Sequence, residues 1–172
     1  TIIAWYEDKL RGRKGVAASV PELCISLDLE HGLAIQQLPK QQAPLPIPST
    51  EVRPLSSGWL TPSSFIALQT ISEPSALLAI PRQKLKLSVG ASTLFARFDV
   101  QRAAGRREIL SEQVTPLGAE SEIEMMAVSG LLQPGDVLGL NVSGFSDQYL
   151  FNSSWRPTQV TLAGAIELPG II

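Results

Sequence analysis

The C-terminal third of the chain, residues 131–172, constrains the fold most, because it alternates apolar and polar residues over two stretches. Residues 133–136 (QPGD) predict a tight turn, since proline presets the first central φ and glycine accepts the positive φ that follows. Residues 138–142 and 160–168 place apolar side chains at every second position, which is the period of a half-buried β-strand. A long closing strand of this kind requires a partner sheet from earlier in the chain.

Composition narrows the fold class further. Of the 172 residues, 44% are hydrophobic, which is enough to build the core of one domain. Thirteen prolines and thirteen glycines, scattered without a period, favour many short strands over long helices. The sequence therefore predicts an all-β, antiparallel sandwich.

Charge and cysteine content exclude several classes of protein. The net charge of −2 and the charged fraction of 17% argue against a wholly basic nucleic-acid-binding protein. The sequence has no apolar run long enough to span a membrane, so we expect no membrane partner. The single cysteine, Cys24, excludes an intrachain disulfide framework and a cysteine-based zinc site. Because the chain begins with Thr1 rather than Met, we expect it to be either a product of processing or a fragment.

Further alternating runs predict the remaining strands. Residues 23–29 alternate cleanly, and Glu30-His31-Gly32 predicts a three-residue hairpin loop with glycine at positive φ. Residues 64–71 and 76–80 are too short for periodicity to separate a strand from a helical turn. The total of about eight or nine strands indicates a sandwich, most simply an eight-stranded jelly roll. The other expected strands are residues 84–89, 94–100, 109–114 and 123–128, and an alternation that starts at Tyr149 and Phe151.

Residues 39–62 contain six prolines and predict an extended, polyproline-like connection that is neither a central strand nor a helix. A connection of this length is unusual inside a compact domain, so we expect it to lie over a surface or a neighbouring molecule. The expected organisation is an N-terminal arm, residues 1–20, followed by one jelly-roll domain, residues 21–172.

Catalytic and metal sites are difficult to build from this sequence. His31 lies at a predicted hairpin tip, where it is favoured as a turn residue, and Cys24 on the preceding strand points away from it. Glu120, Glu122 and Glu124 would share one face of a strand and could hold Ca²⁺, but a solvated face is favoured because no calcium-binding loop accompanies them. We therefore expect a chain that is not an enzyme and that has no catalytic residues, metal or cofactor.

Two stretches resemble the coat proteins of picorna-like plant viruses, in particular the small jelly-roll subunits of the comovirus and cheravirus type. Residues 25–35 (ISLDLEHGLAI) resemble the first body strand of those subunits and the turn after it. Residues 151–169 resemble their final strand, in which an Asn, an aromatic residue and a Pro precede an Ala-Gly step. The resemblance implies a jelly-roll subunit of an icosahedral capsid, cleaved from a polyprotein and assembled around positive-strand RNA in the host cytoplasm.

The coat-protein resemblance also implies partners. These are other capsid subunits, in homo- and hetero-oligomeric contacts, and genomic RNA, which phosphate contacts would bind without sequence specificity. A solvated arm is the alternative for the basic residues, because four of them are fewer than a usual basic tract. The residues expected to face RNA or the particle interior are Lys9, Arg11, Arg13 and Lys14. The residues expected to contact other subunits are Trp5, Trp59, Ile171 and Ile172.

A second family is similar in its last strands. Residues 131–137 and 161–168 resemble the final strands of the tumour-necrosis-factor and C1q-like trimers, which are also jelly rolls. The early part of the chain lacks the aromatic-rich strand usual in those trimers, and residues 39–62 have no obvious place in them, so we favour the coat protein. A lectin-like carbohydrate-binding sandwich ranks third, because such domains usually display exposed aromatic residues and aromatic residues are only 6% here.

Overall fold

A computed structural model describes residues 2–16, 18, 23–35, 43–52, 64–87, 94–117, 120–152 and 160–168. The chain divides into two compact units, Thr1–Leu38 and Pro39–Ile172. The smaller unit contains helix α1 (Ile2–Lys9) and an antiparallel hairpin of β1 (Leu23–Ser26) and β2 (Gly32–Ile35). The segment expected to be an N-terminal arm thus includes a helix.

The described part of the larger unit contains eleven strands and a 3-10 helix, Asp147–Asn152. Every strand pairing in it is antiparallel, which confirms the all-β class. The strands are β3 (Leu45–Val52), β4 (Ser64–Thr70), β5 (Ser75–Ala79), β6 (Arg82–Leu87), β7 (Leu94–Gln101), β8 (Arg107–Ile109), β9 (Thr115–Leu117), β10 (Glu120–Glu124), β11 (Val128–Leu132), β12 (Val137–Ser143) and β13 (Val160–Glu167).

Two larger sheets hold most of these strands. The first sheet has the order β10-β6-β13-β3, and the second sheet has the order β4-β12-β7-β8, with β9 also paired to β7. Strands β5 and β11 form a separate pair. Buried apolar side chains from both larger sheets belong to one core, so the two sheets pack on each other. Among the most buried are Leu85, Leu162 and Ile166 from the first sheet, and Leu94, Phe98, Leu138 and Leu140 from the second.

Strand β3 explains how a proline-rich segment enters a sheet. Its partner among the described residues is β13, so it lies at an edge of the first sheet, the position at which proline is tolerated. Pro46 and Pro48 are exposed, whereas Ile47 between them is buried in the core. The prediction that residues 39–62 form only a connection is therefore wrong for Leu45–Val52.

Strand β13 has the predicted inner face, interrupted by one irregularity. Val160, Leu162 and Ile166 are buried as expected. The register with β3 shifts between Leu162 and Gly164, and Gly164 has a φ of 142°. Two steps along β13 face three steps along β3, from Thr50 to Ile47, so the extra residue of this bulge lies in β3. Glycine suits the position opposite the bulge because L side chains rarely adopt positive φ.

Several boundaries differ from the sequence-based expectations. The first hairpin strand ends at Ser26, Leu29 is fully exposed, and Gly32 does not have a positive φ. The predicted strand over residues 109–114 is wrong, because β8 ends at Ile109 and β9 begins at Thr115. The predicted strand over residues 123–128 spans the end of β10 and the start of β11, and the alternation from Tyr149 is a 3-10 helix. Residues 64–71 and 76–80, left open by the sequence, correspond to β4 and to most of β5.

The turn before β12 is held by a buried ion pair. As predicted, Gly135 has positive φ, and the Asp136 N–H donates to the Gln133 carbonyl at 3.0 Å. The Asp136 carboxylate is 2% exposed and accepts from Arg102 Nη1 at 2.7 Å and from the Gln133 and Ala103 backbone N–H groups at 2.8 and 3.2 Å. Arg102 also binds Glu108 at 2.7 Å, so this cluster ties the β7–β8 and β11–β12 turns together.

Gln83 is an unsatisfied polar side chain in the core of the first sheet. It is fully buried, and neither its Oε1 nor its Nε2 has a hydrogen-bond partner in the described structure. We expect Gln83→Met to stabilise the protein by about 1–2 kcal/mol, because it removes the desolvation cost of the amide while keeping its shape. Urea unfolding measures the change, and Gln113→Met, at an exposed position, is the control. Lower stability of Gln83→Met would show that the amide is satisfied in solution.

Candidate ligand-binding cavity

The outer face of the second sheet carries a polar cluster on its two central strands. In β7, Leu94, Ala96, Phe98 and Val100 point into the core, so Arg97 and Asp99 face outward. Asn141 of β12 is the cross-strand partner of Arg97. This alternation of faces follows the sequence pattern, but the burial of the outer face does not: Asp99 is 0% and Asn141 5% exposed.

Asp99 connects the three side chains of this cluster. Its Oδ1 accepts from Arg97 Nε at 3.0 Å, and its Oδ2 accepts from Asn141 Nδ2 at 2.6 Å. The guanidinium compensates the buried carboxylate, which would otherwise be costly to desolvate. Asn141 Oδ1 is buried without a hydrogen-bond partner in the described structure. The cluster therefore has a fixed geometry and one free acceptor.

A cavity of about 330 Å³ opens beside this cluster. Its polar floor is formed by Arg97 and Asn141, and its apolar lining by Phe95, Val114 and Phe145. Glu112 and Asp147 lie at its exposed rim. A volume near the lower end of the range for ligand pockets, with a few convergent polar groups, is typical of a small-molecule site.

Two contacts shape the walls of the cavity. The ring of Phe95 stacks on Tyr149 of the 3-10 helix, with centroids 5.3 Å apart and planes inclined at 20°. Gln148 bridges to the opposite wall, because its Nε2 donates to the Glu112 carbonyl at 3.0 Å and its Oε1 accepts from the Val114 N–H at 3.4 Å. The 3-10 helix and the β8–β9 loop are thus joined beside the cavity.

The basic residues expected to contact RNA lie in the smaller unit. Arg11 and Arg13 both pair with Glu7, at 2.8 and 3.1 Å, and Lys9 and Lys14 are exposed. The pairing lowers the net positive charge of this cluster, and an RNA contact stays a prediction. Of the residues expected to contact other subunits, Trp5 is 51% exposed and packs edge-on against Tyr6 at 5.5 Å. Trp59, Ile171 and Ile172 lie outside the described residues.

His31 forms a local pair within the β1–β2 hairpin. Its Nδ1 lies 2.8 Å from Asp28 Oδ2, and the Glu30 N–H donates to Asp28 Oδ1 at 2.8 Å. The hydrogen bonds from the Glu30 backbone and the His31 ring lower the pKa of Asp28. Both side chains are substantially exposed and Cys24 is an exposed free thiol, so the geometry fits the turn-residue interpretation.

The glutamates considered as calcium ligands face cations instead. Strand β10 pairs with β6 so that Glu122 lies opposite Lys84 and Glu124 opposite Arg82. The Lys84 Nζ lies 3.4 Å from Glu122 and 3.1 Å from Glu167, and these carboxylates, Glu167 first, raise the pKa of Lys84. Within the described residues, no group of three His, Cys, Asp or Glu side chains could hold a metal ion.

Sequence reasoning missed the cluster of Arg97, Asp99 and Asn141. The signal available was an acidic residue in the middle of an otherwise apolar strand, LFARFDV, beside an Asn in the equally apolar run LGLNV. The pairing of β7 with β12 could not be read from these runs, so their polar residues could not be brought together in advance.

None of the described helices is long and apolar enough to cross a membrane.

Comparison with known proteins finds similarity of fold. The sequence matches no protein-family model and no curated protein sequence. A CocE/NonD family hydrolase from Staphylococcus aureus aligns over 99% of this chain and 45% of its own, with a TM-score of 0.69 and 10% identity. An aminopeptidase from a marine sediment archaeon, Thaumarchaeota archaeon, aligns over 100% of this chain and 43% of its own, with a TM-score of 0.58 and 13% identity. The chain thus spans less than half the length of these structures.

These similarities correct the expectation about enzymatic activity. The prediction that the chain is not an enzyme is contradicted, because two of the structures that align over 99–100% of this chain are a hydrolase and an aminopeptidase. At 10–13% identity the likeness is one of fold. Infectious bursal disease virus VP2 also aligns, but with a TM-score of 0.34, which is too low to support an argument.

Proposed function

We propose that this chain is a β-sandwich domain of a hydrolase. The observation that carries the proposal is the extent of the match, 99% of the chain at a TM-score of 0.69 to a hydrolase. Because a fold by itself hosts many functions, activity must be tested directly. The matched hydrolase is more than twice as long as the aligned region, so the proposed role includes packing against a further segment of a hydrolase.

We further propose that the sandwich is an eight-stranded jelly roll. The support is the order of the strands in the two sheets. If β5 and β11 are omitted and β8 and β9 are counted as one interrupted strand, eight strands remain, which we number one to eight along the chain. The first sheet then has the order 6-3-8-1, and the second sheet has the order 2-7-4-5. Two interlocked four-stranded sheets with long crossings of this kind are typical of a double Greek key.

Hydrolysis by the native protein tests the first proposal. The complete gene product is assayed with 4-nitrophenyl acetate and leucine 4-nitroanilide, an ester and an aminoacyl amide. We expect saturable hydrolysis of at least one substrate. We expect Gly164→Ala to remove this activity together with the folded sandwich, and Gly32→Ala to retain it, because a Cβ at Gly32 has its nearest neighbour at 3.5 Å. A protein with native β-sheet circular dichroism that hydrolyses neither substrate would contradict the hydrolase proposal.

An icosahedral coat-protein subunit is the second candidate, with the tumour-necrosis-factor/C1q-like trimer as its alternative. The same strand order supports it, because jelly rolls build viral capsids as well as other domains. In this proposal other subunits and genomic RNA are the partners and the virion is the location. Sedimentation of the native protein separates these candidates, since a shell, a trimer and a monomer differ widely in mass.

A further inference from the structure

We propose that the cavity on the outer face of the second sheet binds a neutral pyranose sugar through Arg97, Asn141 and the rim carboxylate of Glu112. The assignment concerns the residues of this cavity alone and does not depend on the hydrolase proposal. It starts from Asn141, which lines the cavity, is 5% exposed, and carries a buried Oδ1 without a hydrogen-bond partner in the described structure. A buried amide oxygen left unpaired is costly, and a donor supplied by a ligand would remove that cost.

The charged groups around the cavity indicate the charge of the ligand that it would bind. Asp99 pairs with Arg97 at 3.0 Å, but its side chain is only 1% exposed, so the charge that the floor presents to a ligand is the Arg97 guanidinium, 29% exposed. At the rim Glu112 and Asp147 add two carboxylates, so an anionic ligand would be repelled. A cationic ligand would in turn meet the Arg97 guanidinium at the floor. These charges favour a neutral ligand.

The hydrogen-bonding groups of the cavity indicate which functional groups the ligand carries. Asn141 Oδ1 and the rim carboxylates accept hydrogen bonds, whereas the Arg97 guanidinium, whose side chain is 29% exposed, donates them. A ligand that satisfies both sets must carry donors and acceptors close together, as vicinal hydroxyl groups do. Val114 and Phe145 supply apolar surface for the C–H face of a ring. The cavity volume of about 330 Å³ suits one ring better than an extended oligosaccharide.

The cluster is already organised for such a ligand. The bond from Asn141 Nδ2 to Asp99, at 2.6 Å, sets the orientation of the amide and leaves its oxygen as the free group. Asp99 is itself fixed by Arg97. Binding would therefore require little reordering of the floor, which limits the entropic cost.

Nuclear magnetic resonance of the native protein tests the assignment. Glucose, galactose, mannose and N-acetylglucosamine are titrated separately while the Asn141 side-chain amide signals are followed, with phosphate and propylammonium as the charged probes. We expect at least one sugar to shift the Asn141 signals along a saturable curve and neither charged probe to do so. Comparing that sugar with its methyl glycoside distinguishes a free monosaccharide from the terminal sugar of a glycan. Equal binding of the two would mean that the anomeric oxygen faces solvent, as the terminal sugar of a glycan requires, and weaker binding of the glycoside would indicate a free monosaccharide.

Two variants place the binding in the cavity. Glu112→Ala is expected to weaken sugar binding about fivefold, the effect of one lost hydrogen bond, while Glu73→Ala at another exposed position leaves it unchanged. Val114→Trp is expected to abolish binding by filling the space, whereas Ile109→Trp, at a position 52% exposed, retains it. If Val114→Trp does not fold, the comparison of sugar binding by Glu112→Ala and Glu73→Ala still tests whether the sugar binds in the cavity.

Three results would overturn the proposal. The first is the absence of a saturable Asn141 shift with all of the sugars. The second is a response to propylammonium or phosphate alone, which would assign the cavity to a charged ligand. The third is sugar binding that Glu112→Ala leaves unchanged.

Discussion

Replacing Gly164 with alanine is expected to unfold the larger unit. Gly164 lies in β13 beside the bulge of β3, with a φ of 142°, and an added Cβ would overlap the carbonyl oxygen of Lys84 in the neighbouring strand. The obstruction is backbone, which cannot rotate away, and β13 pairs with strands on both sides. We expect a loss of about 4 kcal/mol or more, enough to exhaust the stability of many domains. Circular dichroism and urea unfolding measure it.

Gly32→Ala provides the matched control for Gly164→Ala. A Cβ at Gly32 meets only the Ile25 carbonyl at 3.5 Å, an ordinary contact, and Gly32 does not have a positive φ. We expect its stability to change little. Native-like unfolding of Gly164→Ala would mean that β13 can move away from β6, and would disprove the tight approach of these two strands.

The second large effect is expected from Asp136→Asn. The buried carboxylate accepts hydrogen bonds from Arg102, Gln133 and Ala103, and an amide nitrogen in its place would face these donors. Removing one partner of a buried ion pair typically costs 3–5 kcal/mol. Because Arg102 retains Glu108 and is 27% exposed, we expect about 2–3 kcal/mol at pH 7. Urea unfolding of the purified protein measures the loss.

The loss should depend on pH. Burial opposes ionisation of Asp136, but the hydrogen bonds from the Gln133 N–H and Arg102 outweigh it and lower the pKa of the carboxyl below its usual value. A lowered folded-state pKa stabilises the protein above the unfolded-state pKa of about 3.9, and this stabilisation disappears as the pH falls through the folded-state value. The difference between wild type and Asp136→Asn should therefore shrink below about pH 4.

Glu124→Gln is the control for the ion-pair prediction. Its carboxylate lies 3.6 Å from Arg82, but both side chains are more than half exposed, at 58% and 55%. Such pairs contribute little in water, and we expect a change within about 0.5 kcal/mol. A loss at Glu124 as large as at Asp136 would show that burial does not set the energy of these pairs.

Local pattern predicted the strands whose two faces differ in polarity. The alternation over residues 138–142 and 160–168 predicted β12 and β13 with their buried faces, and the Pro-Gly pair predicted the turn before β12. Pattern failed where a side chain redirects the backbone. Asp28 accepts from the N–H groups of Glu30 and His31, at 2.8 and 2.6 Å, so the first strand ends before Leu29 despite its alternation.

The candidate cavity depends on pairings that span long sequence distances. Asp99 and Asn141 are 42 residues apart, and the loop residues Glu112 and Gln148 are 36 apart. A single sequence shows which side chains alternate along each strand, but the neighbour of each strand follows from packing of the whole sheet. The floor and the walls of the cavity therefore could not be predicted, although each of its strands could.

The prolines of β3 protect the sheet to which they belong. An edge strand offers unpaired backbone groups to any other extended chain, and such edges can recruit further strands into aggregates. Pro46 and Pro48 have no N–H to offer, and they occupy exposed positions on β3, the outermost of the described strands at this side of the first sheet. Strand addition at this edge would lack two donors within three residues. The proline-rich strand β3 thus limits the addition of further strands at this edge of the first sheet.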